Sequence, residues 1–322
     1  MSDKISFIMC GDIHFSDTSP ASRIDDYEEA MFDKVRQIKA LMIEHDAAAF
    51  ISTGDVFHHP TPSKTSHRLV NRIIREFSGF KFLTIAGNHD LYHGRLDSLP
   101  SQPLGVLFET GTCQDIDVNP FDVKVGDLTV RVAGVAFSRT LDDYKNLSKE
   151  NADFLLGVVH EFCDASGSDF FGEQKWSFKD MAESCVDYTL VGHDHSPQKF
   201  YEYKGKCFDQ PGSLMRGALT TDNCSRDVFV TLLTVEKFEG DVRYRQRRIP
   251  LKTQASDKIF NLKKHEDQVE LQTSFKEFCD KLVEANLSKT ASADLVSSTL
   301  DNLDITRQVR SSVLTYLTNA GL

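Results

Sequence analysis

The chain has 322 residues, enough for one large domain and a smaller one. Its composition, with 40% hydrophobic and 26% charged residues, is that of a globular protein and argues against a disordered, fibrous or collagen-like chain. The net charge of −11 counts against nucleic-acid binding without a local basic surface. No apolar run reaches the length of a membrane span, and the seven cysteines form no C-x-x-C pair. We therefore expect a cytoplasmic protein with reduced thiols and no membrane association.

Short apolar runs rich in Ile, Val and Phe alternate with amphipathic stretches up to about residue 250. Six of these runs are predicted to be buried strands: Ile5–Cys10, Ala47–Thr53, Phe80–Ala86, Leu128–Phe137, Phe154–Val159 and Val186–Val191. The spacing of apolar residues predicts helices over Asp25–His45 and Ser63–Phe77. Alternation of strands and helices predicts an α/β fold with a largely parallel sheet covered on both sides. Val228–Val235 and Val242–Ile249 flank a turn and predict an added antiparallel hairpin.

The pattern changes near Thr253 and is helical from about Glu266 onward. Apolar residues form one helical stripe from Val269 to Val283 and another from Ile305 to Leu317. We therefore divide the chain into a main domain over residues 1–252 and a helical region over residues 253–322. Two interpretations of this region are open: it caps the main domain, or it docks a partner helix.

Five of the predicted strands end in a tight polar turn that carries His, Asp or Asn. The carboxyl ends of parallel strands lie along one edge of a sheet, so these turns should converge on one site. A glycine comes before four of the polar residues and should permit a sharp departure from the strand. Seven residues of the turns form a coherent set of metal ligands: Asp12, His14, Asp55, Asn88, His160, His193 and His195.

Two carboxylates, four imidazoles and one amide oxygen are more donors than a single divalent ion uses. They suit two ions about 3.5–4 Å apart that share a bridging carboxylate. Mixed nitrogen and oxygen donors without thiolate favour Mn, Fe or Zn over Ca. Two such ions would attract and polarise a phosphate ester. Each motif alone has an ordinary structural explanation, such as a capped turn, so the prediction depends on their combination.

In combination the motifs resemble those of the calcineurin-like metallophosphoesterase superfamily: D-x-H, G-D, G-N-H-[DE], a strand-end His and G-H-x-H. The resemblance covers about residues 5–250 and implies a layered αββα sandwich, here with a small C-terminal helical region. It implies two ligand sets, which are Asp12, His14, Asp55 and His195 for one ion, and Asp55, Asn88, His160 and His193 for the other. His89 matches the family's non-ligand histidine, which stabilises the transition state or protonates the leaving oxygen.

The second motif, Gly54-Asp55-Val56-Phe57-His58, resembles the G-D-[LVI]-F-[HD] of SbcD-type recombination nucleases. Phosphoprotein phosphatases typically carry an arginine soon after this aspartate, and here none comes before Arg68. Residues 210–216 resemble the P-G-S segment of the same nucleases. The resemblance implies a DNA exonuclease and endonuclease of recombination, repair and replication that uses Mn, with Mg, Fe or Zn as other candidates. It also places His58 beside the scissile phosphate.

The resemblance further implies DNA, a second copy of the chain and an SbcC-type, SMC-like ATPase with a long coiled coil as partners. The compact chain is most similar to phage-encoded members, which places it in a bacterial cell or a phage-infected host. Candidate DNA contacts are four arginines: Arg216, Arg243, Arg245 and Arg247. The last three share one face of a predicted strand and could follow a phosphate backbone. A solvated sheet edge explains them equally well.

Two other functions stay open at this point. The first is a phosphoprotein phosphatase or cyclic-nucleotide phosphodiesterase of the same superfamily, which would hydrolyse small or protein substrates but not DNA. The second is a scaffold without catalysis that uses the phosphoesterase fold for protein contacts. A degraded ligand set would indicate a scaffold, and here all seven ligand positions are filled.

Overall fold

The computed structural model describes residues 3–166 and 176–263. The chain divides into two units, Met1–Ala255 and Ser256–Leu322. The helical stripes predicted between Val269 and Leu317 lie outside the described residues. Within the described part of the chain, no helix is both long and apolar enough to cross a membrane.

Two six-stranded sheets form the framework of the first unit. Sheet 1 contains, in spatial order, β14 (Asp241–Pro250), β13 (Phe229–Phe238), β1 (Asp3–Cys10), β2 (Ala47–Ser52), β3 (Phe82–Thr84) and β4 (Gln114–Asp115). Sheet 2 contains β11 (Tyr201–Tyr203), β12 (Lys206–Asp209), β10 (Tyr188–Gly192), β7 (Phe154–His160), β6 (Leu128–Val135) and β5 (Phe121–Val125). A third, small sheet pairs β8 (Cys163–Asp164) with β9 (Trp176–Ser177).

Each large sheet has a parallel centre with antiparallel additions. In sheet 1 the parallel strands are β1 to β4, and β13 and β14 extend the sheet in antiparallel fashion. In sheet 2 the parallel strands are β6, β7, β10 and β12, and the antiparallel strands β5 and β11 form the edges. The predicted hairpin is therefore confirmed as β13 and β14.

The two longest helices of the described residues begin at side-chain caps. The α-helices of the described residues are α1 (Tyr27–Glu44), α2 (His67–Phe77), α3 (Pro103–Glu109), α4 (Leu141–Lys145), α5 (Phe178–Met181), α6 (Thr221–Ser225) and α7 (Ser256–Ile259). Short 3₁₀ helices cover Pro62–Lys64, Asn88–Asp90, Tyr92–Gly94 and Leu96–Ser101. The carboxylate of Asp26 accepts a hydrogen bond from the N–H of Glu29, and the hydroxyl of Ser66 accepts one from Leu69. Because of these caps, α1 and α2 begin later than the apolar pattern predicted.

Two apolar cores hold the layers together. The larger core extends from α1 and α2 through sheet 1 to the facing side of sheet 2, where it includes Leu156 and Val158 of β7. The smaller core contains Leu155 and Val159 of the same strand, together with Met181 of α5. Alternate residues of β7 thus face opposite layers, as strand geometry requires. The order of layers is α, β, β, α, and the predicted fold class is confirmed.

The predicted parallel pairing is confirmed for β1, β2 and β3, but the strand pattern alone did not show that the later strands form a second sheet. The parallel strands belong to two sheets that pack face to face, as the family resemblance implied. The second sheet starts at β5, whose partly exposed residues pair antiparallel with β6. A central strand of either sheet has two covered faces and the same apolar composition, so burial does not reveal which sheet it joins.

Candidate metal centre

The five polar turns meet where the carboxyl ends of strands from both sheets converge. Sheet 1 supplies the turns after β1, β2 and β3, and sheet 2 supplies the end of β7 and the turn after β10. The predicted ligands from sheet 1 are Asp12, His14, Asp55 and Asn88. Those from sheet 2 are His160, His193 and His195.

One ligand atom from each of four residues falls within 4.8 Å of the others: Asp12, His14, Asp55 and His195. The Nε2 atoms of His14 and His195 lie 2.9 Å apart. Asp55 Oδ2 lies 3.7 Å from His14 Nε2, and Asp12 Oδ2 lies 3.6 Å from His195 Nε2. These four residues are the set that the resemblance assigned to one ion.

A second group of donors adjoins the first. His160 Nε2 lies 2.9 Å from Asn88 Oδ1 and 3.6 Å from Asp55 Oδ1. The ring of His193 lies beside His160, with 5.0 Å between centroids, and packs on Phe162 at 4.0 Å. The two carboxylate oxygens of Asp55 therefore face different donor groups, one towards His14 and the other towards His160.

Burial makes the two carboxylates unfavourable as anions in the absence of a cation. Asp12 and Asp55 are each 1% exposed. Burial raises the pKa of both groups, and the charges of Asp12 and Asp90 raise the pKa of Asp55 further. Among the described residues, neither carboxylate pairs with a lysine or arginine. A buried carboxylate is stable as an anion when a metal ion or another cation compensates it, so these residues fit a divalent ion.

Three of the four predicted histidine ligands present unprotonated nitrogen atoms. Burial lowers the pKa of His14 well below its usual range, that of His160 to about 3 and that of His193 to about 4. These rings are neutral near neutral pH, the form that binds metals. The buried Nδ1 of His14 has no hydrogen-bond partner among the described residues. A cation bound by both atoms would also stabilise the short distance between His160 Nε2 and the amide oxygen of Asn88.

The backbone at this site is strained in three places. His14, Asp55 and His193 have φ angles of 59°, 45° and 79°, which lie in the left-handed region that non-glycine residues rarely adopt. Such conformations cost about 1–3 kcal/mol each and concentrate at functional sites. All three residues are predicted ligands, so the strain coincides with the predicted metal centre.

Glycine is needed at these turns mainly because neighbouring atoms lie too close to leave room for a Cβ atom. Gly54 has a φ of 100° and needs the freedom of glycine. Gly87 and Gly192 have no such angle, but a Cβ atom on Gly87 would collide with the carboxylate of Asp55, and one on Gly192 with the side chain of Thr53. Of the four glycines that precede predicted ligands, only Gly54 adopts a left-handed φ, and Gly11, Gly87 and Gly192 do not.

The predicted catalytic histidines lie against the ligand cluster. The ring centroids of His58 and His89 are 5.5 and 4.9 Å from that of His14, and the two rings stack on each other at 5.3 Å. The ring Nδ1 of His89 donates a hydrogen bond to the carbonyl oxygen of His58, at 2.8 Å. Burial lowers the pKa of His58 to about 4. Both residues are near enough to the ligands to contact a bound phosphate, and their catalytic roles stay predictions.

Two residues without a predicted role hold the ligands in place. The hydroxyl of Thr53 donates to Asp12 Oδ1 at 2.8 Å, while its carbonyl oxygen accepts from His160 Nδ1 at 2.8 Å. Asp90 is buried, and its carboxylate accepts three backbone N–H bonds, from Val56, Phe57 and Gly87. Asp90 thus ties the turn after β2 to the turn after β3. The signal for Asp90 was present in the sequence as the last letter of the G-N-H-D motif.

Three of the four candidate DNA contacts share a surface. Arg243, Arg245 and Arg247 are exposed on one face of β14, as predicted, and β14 is an edge strand. Arg245 pairs with Glu236, and an Nη atom of Arg247 lies 3.4 Å from the ring Nε2 of His45. Their contact with DNA stays a prediction.

The fourth candidate, Arg216, is placed differently. Its side chain is buried, with 6% exposure, and its guanidinium donates to the carbonyl oxygen of Gln254 at 2.6 Å. The prediction that Arg216 contacts a DNA backbone is wrong, because its charged group is used inside the protein. A loop arginine with a backbone partner cannot be told from a surface arginine by sequence.

The calcineurin-like phosphoesterase family pattern matches residues 5–197, so the chain belongs to this family. It is a metallophosphoesterase-family hydrolase, and the family binds divalent metal ions. A search of curated proteins gave no match.

Among solved structures, the calcineurin-like phosphoesterase YfkN from Bacillus subtilis is similar, with a TM-score of 0.51 and 11% identity over 79% of this chain and 94% of YfkN. Vps29 from Cryptosporidium parvum has a TM-score of 0.34 and 13% identity over 77% of this chain and 100% of Vps29. Vps29 from Chaetomium thermophilum has a TM-score of 0.31 and 14% identity over 76% and 98% of the two chains. At such identity the likeness to YfkN shows the fold alone.

Proposed function

We propose that this protein is a Mn-dependent DNA nuclease that hydrolyses phosphodiester bonds with two divalent ions. The observation that supports this substrate best is the pair of His58 and His89 beside His14. The turn that carries Asp55 and His58 has no arginine before Arg68, and Arg68 forms ion pairs with Asp17 and Glu28. A monoester dianion is usually held by a fixed cation such as arginine, whereas a phosphodiester carries one negative charge and suits neutral donors.

The ions, when bound, would polarise the phosphate and activate the attacking water. His58 and His89 would stabilise the negative charge that develops on the phosphate and on the leaving oxygen. The carbonyl oxygen of His58 holds a proton on Nδ1 of His89, because a carbonyl only accepts. The other ring nitrogen of His89, Nε2, is then the atom that exchanges a proton with the leaving oxygen.

The proposal includes the partners that the family resemblance implies. A homodimer would place two sites near one DNA end, and an SbcC-type ATPase would supply the basic surface that a chain of net charge −11 needs. The exposed arginines of β14 would contribute phosphate contacts. The protein would act in the cytoplasm of a bacterial cell, during recombination and repair.

Digestion of end-labelled duplex and single-stranded DNA tests this function. We expect cleavage with Mn²⁺, weaker cleavage with Mg²⁺ and none with EDTA. An Asp12→Asn variant purified in the same way is the control for contaminating nucleases, and it should be inactive. A parallel assay compares a phosphodiester, a phosphomonoester and a cyclic nucleotide as small substrates. Efficient hydrolysis of the monoester or cyclic nucleotide without cleavage of DNA would favour the phosphatase or phosphodiesterase alternative and refute the nuclease.

A further inference from the structure

Residues 210–216, which follow β12, join two predicted metal ligands across the sandwich. The N–H of Ser213 donates to the carbonyl oxygen of His195 at 3.0 Å, and the N–H of Leu214 donates to that of Asp12 at 2.7 Å. Asp12 belongs to the turn after β1 in sheet 1, and His195 to the turn after β10 in sheet 2. A shift of this segment would therefore change the position of the two ligand-bearing turns relative to each other.

The segment fits between these turns with its backbone in close contact. Gly212 has a φ of 75°, and a Cβ atom there would collide with the carbonyl oxygen of His195 and with Pro197. A Cβ atom on Gly11 would in turn collide with the carbonyl group of Gly212. Glycine at both positions allows backbone to touch backbone, so a shift of the segment would be transmitted directly to both turns.

The buried side chain of Arg226 holds residues 210–216 in place through hydrogen bonds. Its guanidinium donates to the carbonyl oxygen of Ser213 at 3.0 Å, to the hydroxyl of Ser213 at 2.9 Å and to the carbonyl oxygen of Met215 at 2.8 Å. Its Nε donates to the side-chain oxygen of Asn223 at 2.8 Å. Arg226 is 8% exposed, and burial lowers its pKa to about 10. A buried arginine that donates to two backbone carbonyl oxygens and two side-chain oxygens favours one conformation of the segment that carries them.

The position of His195 depends on Arg226 more than the position of Asp12 does. The side chain of His195 is 50% exposed, so little packing fixes it, whereas that of Asp12 is 1% exposed. Asp12 also accepts hydrogen bonds from the hydroxyl of Thr53 and from the N–H of His193. Loss of Arg226 should therefore displace the turn of His195 and leave Asp12 almost unchanged.

We propose that Arg226 is a positioning residue for the metal ligand His195, acting through the backbone of Ser213. Groups that orient a ligand from outside its coordination sphere typically contribute tenfold to a hundredfold to metal affinity. The proposal depends on metal binding by His195 and not on the substrate, so it can fail or succeed separately from the nuclease function.

Titration of the full chain with Mn²⁺ alone, followed by calorimetry and by electron paramagnetic resonance of free Mn²⁺, tests the proposal. We expect Arg226→Met to weaken one Mn²⁺ site by about tenfold to a hundredfold. The same site should be the one lost in His195→Ala, and adding Arg226→Met to His195→Ala should cause no further loss. Non-additivity of this kind distinguishes positioning from a general loss of stability.

The matched control is Arg131→Met, which removes the ion pairs of an arginine in β6 with Asp122 and Glu150. It should lower stability without changing Mn²⁺ affinity. If Arg226→Met does not fold, Arg226→Lys and Ser213→Ala take its place, because each removes part of the same hydrogen-bond set. Unchanged Mn²⁺ affinity in the folded variants, additive losses in the double variant, or full affinity in His195→Ala would each overturn the proposal.

Discussion

His160 donates a hydrogen bond from Nδ1 to the carbonyl oxygen of Thr53, at 2.8 Å. The bond links β7 of sheet 2 to the turn after β2 of sheet 1. Because a carbonyl oxygen only accepts, the neutral ring carries its proton on Nδ1 and presents the lone pair of Nε2 to Asn88 and Asp55. The backbone of Thr53 thus selects the tautomer of His160 that a metal ligand requires.

The position of Asp55 predicts that its loss affects both ions. Its Oδ2 lies 3.7 Å from His14 Nε2 and its Oδ1 lies 3.6 Å from His160 Nε2, so the carboxylate faces both donor groups. Asp55→Asn removes the negative charge and should lower the occupancy of both ions, whereas His14→Ala should lower mainly one. Metal analysis after dialysis against a fixed Mn²⁺ concentration measures this. Two ions retained in full by Asp55→Asn would contradict the assignment.

A second prediction separates catalysis from metal binding at His89. The ring touches His14 and is held by the carbonyl oxygen of His58, while the main-chain N–H of His89 donates to Asp55 Oδ1 at 2.7 Å. His89→Ala keeps that main-chain bond, so metal content should be unchanged. Turnover should fall by about 10²–10⁴-fold, the range of general-acid groups.

The measurement for His89 is the cleavage rate of labelled DNA at saturating Mn²⁺, together with metal content. His93→Ala is a suitable control, because this histidine lies in the next turn and has no predicted role. Wild-type cleavage by His89→Ala would exclude a catalytic role, and loss of metal in this variant would make His89 a ligand.

Much of the site could be predicted because its residues stand in fixed order at strand ends. Asp12 and Asp55 follow apolar runs whose carboxyl ends converge in one parallel sheet. His160 ends a strand of the second sheet, and the structure brings it to the same site. The supporting contacts could not be predicted in this way. Thr53 acts partly through its carbonyl oxygen, which every residue possesses, and Arg226 acts on a backbone that is distant in sequence. Such contacts depend on the packing of the two sheets, which local patterns do not specify.

The four candidate DNA-contact arginines show the same limit of prediction from local sequence patterns. Alternation along a predicted strand correctly placed Arg243, Arg245 and Arg247 on one face, since the side-chain period of a strand is fixed. Arg216 was a candidate DNA contact because it ends the segment that resembles the P-G-S motif, and its burial depends on tertiary contacts that the motif does not show. A charged residue can be assigned to the protein surface from sequence only where its secondary structure fixes the direction of its side chain.

The exposed face of β14 leads to a prediction on salt dependence. If Arg243, Arg245 and Arg247 bind phosphates, changing all three to Gln should weaken DNA binding. The slope of log K against log salt concentration should fall by about 0.9 for each phosphate that the variant no longer neutralises. Binding is measured by fluorescence anisotropy between low and moderate salt, with Asp12→Asn in the background to prevent cleavage.

The control for this experiment changes three other exposed cations to Gln, namely Arg36, Arg95 and Lys204. It alters the net charge by the same amount at other places on the surface. The two triple variants should differ in slope if the face of β14 binds DNA. Equal slopes would assign the arginines of β14 to protection of the sheet edge instead.

A last prediction concerns Lys34 of α1, a buried ammonium group. Lys34 is 6% exposed, and its Nζ lies 3.3 Å from the sulfur of Met215 and 3.5 Å from the carbonyl oxygen of Ala30. Burial, with a smaller contribution from Arg23 and Arg216, lowers the pKa of Lys34 from 10.5 to about 7. Between these two values the unfolded chain binds a proton that the folded chain does not, so this residue makes stability rise with pH.

Lys34→Met should therefore stabilise the protein most at pH 7 and below, where burial of the ammonium group is most costly. From the difference between a pKa of 10.5 and one of about 7, the gain in free energy of unfolding is about 3–5 kcal/mol, and it should decline as the pH approaches 10.5. Urea unfolding of both proteins at several pH values in this window measures the difference. Packing changes caused by methionine are independent of pH, so only the slope reports the ammonium group. A constant difference across the window would show that Lys34 keeps an ordinary pKa in the folded protein.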